Sequence, residues 1–113
     1  MKIRCIIFIA AIILIFSPER SFAFSMCHGE YGNRSRPTAS PINLHIRNTS
    51  SNTIRVYWIN FEGWRQFYAD VLPGRDYVQQ TYIYHLWAIT DVDENCRVLL
   101  ISNKEDIDTD IGD

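Results

Sequence analysis

The stretch VYWINFEGWRQFYADVLPGRDYVQQTYIYHLWAIT, residues 56–90, decides the fold. Its β-branched and aromatic runs are the composition that pleated strands favour. They are cut by Glu62-Gly63 and by Pro73-Gly74, residues that supply the backbone angles of tight turns. No window of a dozen residues carries a helical stripe free of these breakers. From Arg75 to Asp93 the chain runs for 19 residues, whereas strands are usually about 3 to 10 long, so a reversal is expected near Tyr82–Tyr84.

Outward from this stretch the same grammar continues. INLHIRN (42–48) and TIRVYWINF (53–61) flank a Ser-Ser-Asn break, and CRVLLIS (96–102) follows Asp-Glu-Asn at 93–95. Six or seven short strands at this spacing predict an all-β fold, a small antiparallel β-sandwich of about seven strands over residues 42–104. Residues 24–41 (FSMCHGEYGNRSRPTASP) have no period of either kind and are expected to form an extended arm, tied down only if Cys27 is bridged. Residues 105–113 are acidic and poor in core-forming side chains, and are expected to be a solvated tail.

The chain opens with Lys2 and Arg4, an apolar block from Cys5 to Phe16, and small residues at Ser21 and Ala23. That is the pattern of a secretory signal peptide over residues 1–23, with a block too short for the roughly 20 residues of a membrane span. The expected product is secreted or periplasmic, with no membrane association after cleavage. Beyond residue 23 there are 8 basic and 12 acidic side chains, a net charge of 8 − 12 = −4, which argues against nucleic acid as a partner. Cys27 and Cys96 form an even pair that an oxidising compartment would bridge. The alternative, a metal held by Cys27, His28, His45 and Cys96, matches no zinc spacing, so neither a metal nor a cofactor is expected. Asn33 and Asn48 both fit the glycosylation pattern, but Asn48 reads better as a turn residue whose side chain caps the backbone between the first two strands.

No nucleophile stands beside an obvious base, so an enzyme is not expected. The aromatic set Trp58, Trp64, Tyr68, Tyr82, Tyr84 and Trp87 exceeds what so small a core needs. Polar partners among such rings would distinguish a binding pocket from plain packing. Here they are Thr81 and His85.

Trp58, Asn60, Phe61 and Gly63, then Tyr68, the Pro73-Gly74 turn, Thr81 and His85-Leu86-Trp87 follow the order and spacing of the von Hippel-Lindau β-domain family, which the chain resembles over residues 46–100. The resemblance implies a seven-stranded sandwich that captures an extended peptide through 4-hydroxyproline. Trp58, Tyr68 and Trp87 would wall the pyrrolidine ring, while Thr81, in the family's serine position, and His85 would hydrogen-bond the hydroxyl. Gln80, Tyr82 and Asn60 would make secondary peptide contacts, with Gln80 standing where the family has a histidine. The physics suits these roles. A buried hydroxyl needs one group to accept its proton and one to donate, and unmodified proline would leave both unpaired at about 1 to 3 kcal/mol each.

A straight strand would hold Thr81 and His85 about 13 Å apart, so the reversal at Tyr82–Tyr84 is required. Tyr84 replaces a family glycine there, which points to a wider turn, because a bulky residue resists positive φ. The family's tumour suppressor continues into a helical domain that docks a ubiquitin-ligase adaptor. This chain stops at Asp113, and no such adaptor is expected as a partner.

Two alternatives stay open. The fold could serve as a structural or interaction domain without the hydroxyproline pocket, or as a small carbohydrate-binding sandwich stacking sugar on Trp64. Trp58 and Trp87 exposed beside Thr81 and His85 would favour peptide capture, both rings buried would favour the interaction domain, and an isolated exposed Trp64 would favour carbohydrate.

Overall fold

The β-branched and aromatic runs between residues 42 and 102 form six strands in a computed structural model of the protein, which describes residues 24–113. The leader expected over 1–23 lies outside the described residues. In chain order the strands are β1 (Pro41–Asn48), β2 (Ile54–Ile59), β3 (Arg65–Val71), β4 (Asp76–Tyr82), β5 (Leu86–Thr90), β6 (Cys96–Leu100) and β7 (Ile107–Ile111). They make two sheets, of order β4-β1-β7 and β3-β2-β5-β6. All neighbours are antiparallel except β1 and β7, which are parallel.

The strand β7 corrects the expectation of a solvated tail. Its sequence IDTDI alternates, and Asp108 and Asp110 face solvent while Ile107, Thr109 and Ile111 turn inward. The aspartates are held on the outer face by Arg47, whose guanidinium pairs with Asp108 at 2.7 Å and with Asp110 at 2.5 Å. Charge that suggested a frayed segment is the polar face of a strand, and the sandwich extends to Ile111.

The core between the sheets follows from strand alternation. Leu44 and Ile46 of β1 meet Ile54 and Val56 of β2, Trp87 and Ile89 of β5, Val71 and Ile111. A second apolar cluster lies on the outer face of the four-stranded sheet, where Tyr57, Ile59, Leu86 and Ala88 pack beneath Cys27. The arm is therefore part of the fold. Cys27 is bonded to Cys96 with Cα atoms 5.0 Å apart, which spends both thiolates of the alternative metal set. Ser35, fully buried, donates its hydroxyl to the Ile59 carbonyl and accepts from the Leu86 N–H, clipping the arm to β2 and β5.

Asn48 sits at the end of β1, 1% exposed. Its Nδ2 donates to the carbonyls of Val71 (2.8 Å) and Asn52 (2.9 Å), and its Oδ1 accepts from the Ser50 N–H (2.9 Å) and hydroxyl (2.6 Å). This is the turn-capping role read from the sequence. The Pro73-Gly74 turn is closed by Arg75 N–H to the Leu72 carbonyl, with Gly74 at φ 81°, as a type II turn requires at its third position.

Candidate functional site

The β2–β3 hairpin and the β4–β5 turn carry the site. Asn60 shapes the first: its Oδ1 accepts from the N–H groups of Glu62 and Trp64 at 3.0 and 2.9 Å. Asn60 is a secondary position in the family resemblance, and its Oδ1 is used here to shape the turn. Gly63 completes it at φ 90°, and a Cβ there would lie 3.1 Å from the Asn33 carbonyl of the arm.

Pairing between β2 and β3 shifts register between Val56 and Tyr57, which face Ala69 and Phe67, so Tyr68 is the extra residue of a β-bulge. Bulges re-aim side chains. This one turns the Tyr68 ring onto the Trp87 ring, 4.8 Å between centroids, and toward Trp58 at 6.5 Å.

The second turn is the reversal that the spacing of Thr81 and His85 demands. His85 N–H donates to the Tyr82 carbonyl at 3.2 Å, and Tyr84 takes φ 62°. The turn is thus as tight as a glycine would allow, not wider. Tyr84 is held there by three contacts. Its carbonyl accepts from Arg36 N–H (3.1 Å), its N–H donates to the Ser102 carbonyl (2.8 Å), and the Arg36 guanidinium lies 4.8 Å over its ring. Tertiary contacts outweigh a conformational cost of about 1 to 2 kcal/mol.

These two turns gather Trp58, Tyr68, Thr81, His85 and Trp87. The Trp58 and His85 rings stack at 5.4 Å, and Trp87 Nε1 donates to Thr81 Oγ1 at 2.8 Å. That bond leaves the Thr81 hydroxyl proton free to be given elsewhere. The five differ sharply in exposure. Tyr68 is 38% exposed and Trp58 half-buried, whereas Thr81, His85 and Trp87 are 2%, 8% and 2% exposed. Trp87 belongs to the core and reaches the site through its indole N–H, so the wall facing outward is Trp58 and Tyr68. Of the secondary positions, Gln80 is exposed on β4, and Tyr82 lies half-buried with its ring 5.3 Å from that of His85.

Two buried polar atoms here have no hydrogen-bond partner among the described residues, Trp58 Nε1 and His85 Nε2. Burial pushes the His85 imidazole below its ordinary pKa, against a hydrogen bond with the Arg36 backbone that raises it. The ring is neutral at neutral pH, and Nε2 can act as an acceptor. Phe61, 41% exposed, stands edge-on to both rings, 5.0 Å from Trp58 and 5.5 Å from His85. Sequence reasoning missed Phe61 as a site residue, although it lies inside the quoted Trp-x-Asn-Phe motif.

The family model for the VHL beta domain matches residues 33–107. No individual curated protein matches the chain. The match spans the arm from Asn33, both turns and the start of β7, and with it the chain belongs to the von Hippel-Lindau β-domain family, whose members are substrate-recognition domains that bind protein.

Proposed function

We propose that the protein is an exported binding module, not an enzyme, that captures an extended peptide and reads a 4-hydroxyproline within it at Trp58, Tyr68, Thr81, His85 and Trp87. The observation that carries this reading is the unpartnered Nε2 of a buried, neutral His85 among these rings. An orphaned buried polar atom costs about 1 to 3 kcal/mol. A ligand hydroxyl that donates to His85 Nε2 and accepts from Thr81 recovers that cost, and the Trp58 N–H offers a further donor. The pyrrolidine ring then lies against Trp58 and Tyr68. His85 Nε2 is closed to solvent, so entry needs a neighbouring ring to move, and Phe61, edge-on at 5.5 Å and 41% exposed, lies at the surface beside it. The Cys27–Cys96 disulfide suits an oxidising compartment, and among the described residues no helix is long and apolar enough to cross a membrane.

The experiment is calorimetric titration of the disulfide-intact protein with matched peptides that differ only in proline versus 4-hydroxyproline. Preference for the hydroxylated member, lost in His85→Ala and in Thr81→Val, is the expected result. The burial of Trp87 supports a second reading, in which the fold binds a protein partner with no hydroxyproline pocket. Equal binding, or none, to both members of every pair would decide for it.

A further inference from the structure

The outer face of the same hairpin carries a groove of about 1050 Å³, on the other side of β2 and β3 from His85. Its floor is made by the outward-facing residues Arg55 and Tyr57 of β2 and Arg65 and Phe67 of β3, and its far wall by the arm. Three of the rings that line it contribute nothing to either apolar cluster: Tyr31 is 84% exposed, Trp64 71% and Phe67 53%.

The groove is held rigidly. Glu30, 1% exposed, receives Nε and Nη2 of Arg65 at 2.8 and 2.9 Å, and its Oε1 also accepts the Cys27 N–H at 2.8 Å. Arg65 continues to the Glu94 carbonyl at 2.8 Å and lies over Phe24, 4.6 Å from its centroid. With the adjacent disulfide, this fixes the arm against the sheet. A buried ion pair is weak ground for stability but strong for fixing one geometry, and here it fixes the spacing of exposed rings across a cleft.

Charge decides what fits. The lining holds guanidinium groups at Arg34, Arg55 and Arg65 against carboxylates at Glu30, Glu62, Asp70 and Glu94, nearly balanced. Arg65 is taken by Glu30, and Arg55 stands 3.1 Å from Asp70 and 3.8 Å from Glu94. Arg34 and Glu62, of opposite sign, have no ionic partner among the described residues. A strongly charged ligand finds no field here, yet planar donors and acceptors line the rim beside open aromatic faces. Aromatic faces are electron-rich and attract the polarised C–H face of a pyranose, while guanidinium and carboxylate groups bind adjacent hydroxyls in pairs.

From this we infer that the groove is a binding site for a neutral oligosaccharide, stacked on Trp64 and Tyr31 and hydrogen-bonded by Arg34 and Glu62. It is separate from the His85 site and does not rest on the reading of that site.

The test titrates the disulfide-intact protein by calorimetry with cellohexaose, chitohexaose, xylohexaose, mannohexaose and laminarihexaose, and with decaproline. Binding of at least one hexasaccharide is expected. Its affinity should fall about tenfold in Trp64→Ala and in Tyr31→Ala, and should be unchanged in His85→Ala. Because both rings are exposed, the unfolding midpoints of these variants should match the parent and confirm that the fold is intact. No binding of any hexasaccharide at millimolar concentration overturns the inference. So does hexasaccharide binding indifferent to Trp64, or a Trp64-dependent affinity for decaproline alone, which would make the groove a peptide site.

Discussion

Replacing Asn48 with alanine should remove a large share of the domain's stability, although the residue lies at a strand end beside a loop. Its amide closes four hydrogen bonds while 1% exposed, two to carbonyls of Val71 and Asn52 and two from Ser50. Asn52 is exposed and its carbonyl can be rehydrated, and the Ser50 hydroxyl, itself buried, still donates to that carbonyl at 2.9 Å. The Val71 carbonyl and the Ser50 N–H are buried and cannot. Two unsatisfied buried groups at about 1 to 3 kcal/mol each give an expected loss of about 2 to 4 kcal/mol once relaxation is allowed. A domain of this size holds about 5 to 13 kcal/mol in all. Urea unfolding followed by tryptophan fluorescence measures it directly. With a slope of about 1 kcal/mol per molar, the midpoint should drop by about 2 M or more at unchanged slope. Asn48→Asp keeps the shape but aims a carboxylate at two carbonyls, and should be at least as harmful at pH 7. A loss below about 1 kcal/mol in Asn48→Ala would refute the reasoning, because it would mean that these groups find water in the folded state.

Three further outcomes are expected. Glu30→Gln leaves Arg65 buried without its counter-charge and should cost about 3 to 5 kcal/mol by chemical denaturation. Burial alone would raise the Glu30 pKa, but the Arg65 and Cys27 hydrogen bonds and the Arg65 charge together hold it below 4.5. The pair's stabilisation is therefore present above about pH 4.5 and lost as pH falls through the lower folded value, a loss that Glu30→Gln should abolish in acid titrations. The His85 pKa is depressed below its ordinary 6.5, so the unfolded chain binds the proton first. Thermal stability should decline as pH is lowered from 7 through 6.5 toward the folded value, and His85→Gln should flatten that segment of the curve. At Tyr84, glycine relieves the positive φ while alanine keeps it, and both lose the Arg36 contact. Tyr84→Gly should be about 1 kcal/mol more stable than Tyr84→Ala, and equal midpoints would show that the φ of 62° carries no strain.

What the sequence made legible follows the range of the forces involved. The first six strands and their turns are local: Pro73-Gly74 and Glu62-Gly63 set angles within four residues, and the runs between them alternate or are wholly apolar. The strand β7 carries an equally clear alternation in Ile107-Asp-Thr-Asp-Ile111, but its aspartates are tolerable only because Arg47, far away in sequence, meets them. The arm hid its roles for the same reason. Glu30 and Ser35 look like ordinary polar residues until Arg65, Ile59 and Leu86 come beside them. The grouping of Trp58, Tyr68, Thr81, His85 and Trp87 was legible only as what the family resemblance implied, and the reversal was required because that grouping placed Thr81 and His85 on one hydroxyl, which a straight strand forbids. The tightness of that reversal was not legible, since residue preference disfavours it and contacts from Arg36 and Ser102 decide it.

The parallel pairing of β1 with β7 also orders events in time. The Arg47–Asp110 contact closes a separation of 63 residues, and β1 has a free edge until β7 arrives. The smaller sheet cannot be completed while β7 is still in the ribosome. During that interval β1 shows unpaired N–H and C=O groups to whatever strand is near, and closure over so long a loop is slow. Arg47 on the outer face puts positive charge on that edge. The same aspartates that complete the native pairing would leave it open to β7 while discouraging a second β1, whose Arg47 would face its own copy.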